Sequence, residues 1–195
     1  MIDALRQLAR HSAVYGIGTF LPRILALVLV PVYTRHLAMA EYGVLALVVV
    51  AQSALAIVLQ LGLGPALFRE VLHEGTREAR VMTTAVVAVM LWTVVAVAGL
   101  MAAAEPIARL ALGDAAHAGV LRLALVATGL GAIQPLAMAH LRLHHRAAAF
   151  SAMAVAQVVV LGATSVLFVV GFDGGLEGLL WAQILTALLY GVAAL

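Results

Sequence analysis

Arg23 is the residue whose position most restricts its chemistry. It sits in the apolar run Ser12 to Tyr33, between Pro22 and Pro31, and in a helix it would lie about 16 Å from either end. That is too deep for the side chain to snorkel to water. A central arginine costs about 2.5 to 3.5 kcal/mol on insertion scales, so a polar group must face it. Two partners are open. A guanidinium fork suits a phosphate or pyrophosphate. Alternatively, Pro22 and Pro31 free the carbonyls of Gly18 and Leu27, and Arg23 bonds to these or to a neighbouring glutamine and holds a bend.

The other polar side chains within apolar runs form stripes. Gln52, Ser53 and Gln60 fall on one side of a helix, fit either for helix-to-helix hydrogen bonds or for a transport path. Gln157 and Thr164 share a face, with Ser165 beside them. Gln183, Thr186 and Tyr190 follow i, i+3, i+7 spacing, which faces protein or water rather than lipid. Arg69 closes the second run, and Arg122 lies near enough to a span boundary to snorkel. Arg23, Gln60, Arg69 and Gln157 are the candidate substrate contacts.

Several chemistries are excluded. None of the nine acidic residues lies in the middle of a span, whereas a cation antiporter would usually need a buried carboxylate. There is no Asp-Asp or Asp-x-x-Asp for magnesium. There is no cysteine, so no disulfide, thiolate metal site or cysteine redox chemistry exists. The histidines of His140 to Arg146 (HLRLHHR) have no carboxylate among them and carry no metal expectation. Tyr15-Gly16-Ile17-Gly18 lacks the following Gly-Lys-Ser/Thr of a phosphate loop and reads as a close-packing site. The chain is therefore expected to be no enzyme and to hold no cofactor or metal.

The elements that position these residues follow from composition. At 65% hydrophobic and 10% charged over 195 residues, the chain reads as all-α: a polytopic integral membrane protein. Six spans are expected, at 12–34, 43–68, 81–104, 120–139, 147–171 and 178–195. Thr34 to Tyr42, the charged segment Arg69 to Arg80, Glu105 to Gly119, His140 to Arg146 and Phe172 to Glu177 are expected as connectors. Gln134-Pro135 should break the fourth span. The first span exceeds a signal-peptide core in length and is read as retained, despite Ala38-Met39-Ala40. Seven arginines (6, 10, 69, 77, 80, 142 and 146) fall on the amino-terminal side against Arg35 and Arg109 opposite, which places the amino terminus in the cytoplasm. All eleven basic residues are arginine, the bias of a GC-rich bacterial genome. They are scattered among apolar runs, so no nucleic-acid face is expected.

The amino-terminal stretch also carries a family pattern. Ser12-Ala13-Val14-Tyr15-Gly16, Leu21-Pro22-Arg23-Ile24-Leu25, Pro31-Val32-Tyr33-Thr34-Arg35-His36-Leu37 and Glu41-Tyr42-Gly43 resemble the start of bacterial polysaccharide flippases. These are the lipid-linked oligosaccharide exporters of the multidrug/oligosaccharidyl-lipid/polysaccharide superfamily. The resemblance is strongest through about Glu70. It implies two pseudo-symmetric six-helix bundles, of which this chain, ending at its sixth span, would be the first, with the second bundle missing. It implies transport of an undecaprenyl-pyrophosphate-linked oligosaccharide across the bacterial plasma membrane by alternating access. The partners would be that lipid, the membrane lipids and a polysaccharide polymerase, and Arg23 would meet the pyrophosphate. A cation-coupled multidrug antiporter and a non-transporting assembly subunit are the alternatives.

Overall fold

The structure, a computed structural model, describes residues 20, 24, 27–31, 33–60, 78–144 and 146–193. Arg23 and Arg69 lie outside them. Among the described residues every regular element is helical.

Residues 33–36 are helical, and Leu37 and Ala38 alone form the bend before α1, Met39–Gln60. The connector expected over Thr34 to Tyr42 is shorter than read because Glu41 builds the start of α1. Its carboxylate Oε2 accepts the Ala38 backbone N–H at 2.9 Å, the reach-back half of a capping box. α2 follows as Glu78–Ala102, and α3 as Ala104–Ala111. The expectation of a loop over Glu105 to Gly119 is corrected here. Pro106 falls in the first turn of α3, where a missing N–H costs nothing. Ala104 and Ala108 are buried on one face and Leu110 is exposed on the other. Asp114 then ends the connection by accepting the Ala116 N–H at 2.9 Å, which caps the short turn Ala115–His117.

α4, Ala118–Gly131, and α5, Gln134–Leu143, form one apolar stretch with a break. Pro135 removes the donor that would bond the Gly131 carbonyl. The chain tightens there instead, with Ala132 N–H to Gly129 O at 3.1 Å and Leu136 N–H to Ile133 O at 3.0 Å. α6, Ala147–Val166, runs into a π-helical turn, Leu167–Gly171, and α7 is Gly175–Ala193. Glu177 belongs to the first turn of α7, so the expected Phe172 to Glu177 connector also shortens. The approach is tight: a Cβ on Gly174 or Gly178 would lie 2.8 Å from the Phe168 carbonyl oxygen.

Four described helical stretches are long and apolar enough to cross a membrane: Met39–Gln60, Thr83–Ala102, Ala115–Leu141 and Ala148–Gly171. Their outer faces carry large exposed apolar side chains such as Leu47, Ile57, Leu91 and Val94, as lipid requires. α4 is central and packs most extensively on α7, with α1, α2 and α3 against its other sides. One core joins Leu45 and Val48 of α1 to Val120 and Ala124 of α4 and Leu176 and Leu180 of α7. Another joins Leu59 of α1, Val89 of α2 and Leu136 of α5.

Candidate functional site: a polar cleft between three helices

Along α1, residues 49, 52, 53, 56 and 60 recur on one helical face. In the structure that face lines a cleft of about 370 Å³, opposite Thr128 and Gly131 of α4 and Gln183 of α7. Small residues make the room, since Ala56, Ala127, Gly131 and Ala132 all line it. The polar groups are held in place from behind. Gln52 Nε2 donates to Gln183 Oε1 at 2.9 Å and to the Ala124 carbonyl at 3.3 Å, so one amide ties α1, α7 and α4 together. Ser53 Oγ donates to Val49 O at 2.8 Å, and Thr128 Oγ1 donates to Ala124 O at 2.8 Å. Both hydroxyl oxygens keep lone pairs for other donors. Gln60 is half-buried in the same cleft and bonds to no described residue.

Of the four sequence candidates, Gln60 is therefore a lining residue of the cleft. Gln157 lies elsewhere. Its Nε2 donates to Gln134 Oε1 at 3.0 Å and its Oε1 accepts from Gln134 Nε2, a reciprocal amide pair that fastens α6 to the first turn of α5. Arg23 and Arg69 lie outside the described residues. The α7 stripe faces protein: Gln183 meets Gln52, Thr186 approaches Thr164 at 3.4 Å, and Tyr190 OH donates to Met153 O at 2.9 Å. Arg122, expected to snorkel, pairs with Glu105 at 3.4 Å on the surface.

Sequence reasoning put Gln52, Ser53 and Gln60 on one face but did not find Thr128, nor the bond between Gln52 and Gln183. Thr128 had a weak signal, as a hydroxyl inside an apolar run. A second cavity, of about 320 Å³, lies by the start of α7 and is lined by Glu41, His117, Asp173 and Glu177 among others. No group of metal-ligating side chains occurs among the described residues.

The amides and hydroxyls of the cleft can hydrogen-bond to a ligand. Among the described residues that line the cleft, no nucleophile is paired with a base. No curated protein and no solved structure matches this chain. Residues 8–195 match the polysaccharide biosynthesis protein family. With that match spanning nearly the whole sequence and four apolar helices of membrane-crossing length, the chain belongs to that family and is a membrane protein of polysaccharide biosynthesis.

Proposed function

We propose that this chain forms one six-span bundle of a flippase that carries an undecaprenyl-pyrophosphate-linked oligosaccharide from the cytoplasmic to the outer leaflet of the bacterial plasma membrane. The observation that carries the reading is the cleft between α1, α4 and α7, a polar surface set among helices whose other faces are apolar. A glycan crossing hydrocarbon unaided would lose its hydrogen bonds to water. Amides and hydroxyls along a cleft replace them, and alternating access between two bundles moves the headgroup without breaking a covalent bond. The polyprenyl tail stays in lipid throughout.

Arg23 is the cation assigned to the pyrophosphate, with Arg69 and Gln60 along the headgroup path. The amino terminus is cytoplasmic, the second bundle supplies the facing wall, and a polysaccharide polymerase receives the product. The described carboxylates support export of an anionic lipid over cation antiport. Glu41, Glu105 and Glu177 sit in first turns of helices, Asp114 caps a turn, and Asp173 lies between helices.

The test is complementation of a flippase-deficient strain with the protein encoded by the complete reading frame, with membrane levels measured in parallel. Arg23→Lys should retain part of the export because a point charge still attracts phosphate, whereas Arg23→Gln should lose it. Normal export by a well-expressed Arg23→Gln protein would refute the assignment.

A further inference from the structure

The orientation of the Gln52 amide is set by its neighbours. Its nitrogen lies 3.3 Å from the Ala124 carbonyl oxygen and 2.9 Å from Gln183 Oε1. Reversing it would set oxygen against oxygen at Ala124, so Nε2 must point there. Fixing Gln52 fixes Gln183, which accepts through Oε1. Two groups are left over: Gln52 Oε1, an acceptor, and Gln183 Nε2, a donor, neither bonded to another described residue. Both residues line the cleft.

A neighbouring acceptor and donor match two adjacent hydroxyls of a sugar ring, since each hydroxyl both donates and accepts. Gln60 adds a second amide about 12 Å further along α1. The lining residues on α1, α4 and α7 carry no formal charge. Among the described residues of these three helices, no cation faces a carboxylate or sulfate entering here.

We infer that the Gln52–Gln183 pair and Gln60 are the specificity-determining residues, selecting an uncharged, hydroxyl-rich sugar segment and disfavouring an acidic one. The inference rests on the flippase reading and adds which glycans the cleft accepts. The pair reads a diol, and Gln60 sets the tolerance for charge at the far end.

The experiment uses the protein encoded by the complete reading frame, reconstituted in liposomes. Two probes share one polyprenyl pyrophosphate: an oligosaccharide of neutral hexoses, and the same oligosaccharide with one hexose replaced by its uronic acid. The neutral probe should flip about tenfold faster, the order expected from one lost polar contact. Gln60→Arg should narrow that ratio by raising the uronate rate. Gln183→Met, which leaves Gln52 Nε2 its bond to Ala124, should slow the neutral probe more than the uronate. Equal wild-type rates, or ratios unmoved in both variants at normal membrane levels, would overturn the selectivity while leaving the flippase reading intact. Transport of neither probe by the wild type would overturn both.

Discussion

The two halves of α1 present opposite surfaces to the same neighbours. Near its start, Leu45 and Val48 meet Val120 of α4 and Leu176 and Leu180 of α7, and the three helices close on one another in an apolar core. From Gln52 to Gln60 the same three helices separate around a polar cleft. Ala124 stands at the changeover, with its side chain in the core and its carbonyl accepting both Gln52 and Thr128. On the proposed function the contrast divides the work: the apolar end holds the helices at a fixed spacing, and the polar end receives the glycan. Substitutions at the first should therefore cost stability, and substitutions at the second should cost transport.

The largest effect is expected at the apolar end. Leu180 is fully buried, and Leu180→Ala should lower stability by about 2–5 kcal/mol. Thermal unfolding of the detergent-solubilised protein, followed by loss of helical signal, would measure it. Ser53→Ala in the cleft, where the hydroxyl bonds only its own helix, should move the same transition far less. A drop as large for Ser53→Ala would erase the distinction.

The glycine seam by α7 should rank next. Gly178→Ala sets a methyl group 2.8 Å from the Phe168 carbonyl oxygen, with backbone behind both, and should cost about 1–3 kcal/mol. Gly99→Ala has open space around it and serves as the helical control.

The amide pair between α5 and α6 offers a third contrast, because it is polar yet removed from the cleft. Gln134→Leu leaves Gln157 half-buried without its partner and should cost about 1–3 kcal/mol. Gln134→Leu combined with Gln157→Leu should recover most of that loss. A double variant as unstable as the sum of the singles would show that the two residues do not act as a pair. The smallest change is expected at Arg122–Glu105, whose side chains are 49% and 61% exposed. Arg122→Gln should shift stability by less than about 1 kcal/mol, and by less still in high salt.

The legible parts of this fold were those that periodicity governs. The α7 stripe was readable as a surface turned to protein or water rather than lipid because i, i+3, i+7 spacing fixes a face. The break before α5 was readable because Pro135 cannot complete the ladder. α3 was not, because it is only eight residues long, and Pro106 with Glu105 and Arg109 between two apolar runs reads as a connector. Spacing also names a face without naming what it meets. Gln52 and Gln183 are 131 residues apart, and their pairing depends on α4 holding α1 and α7 together. Gln157 illustrates the same point, since a polar residue on a helix face is equally suited to a ligand or to another helix. Gln60 lines the cleft on the face that its spacing from Gln52 and Ser53 assigns.

The central claim, that the cleft face of α1 is the path of the glycan, is most directly tested by accessibility. The chain has no cysteine of its own, so Ser53→Cys and Val48→Cys each place a single thiol, one in the cleft and one in the apolar core. With the protein in native membranes, a hydrophilic maleimide should label Ser53→Cys and leave Val48→Cys unlabelled, and added lipid-linked oligosaccharide should protect Ser53→Cys. An export-competent Ser53→Cys protein that resists labelling, or labels equally with and without the lipid-linked sugar, would contradict the account.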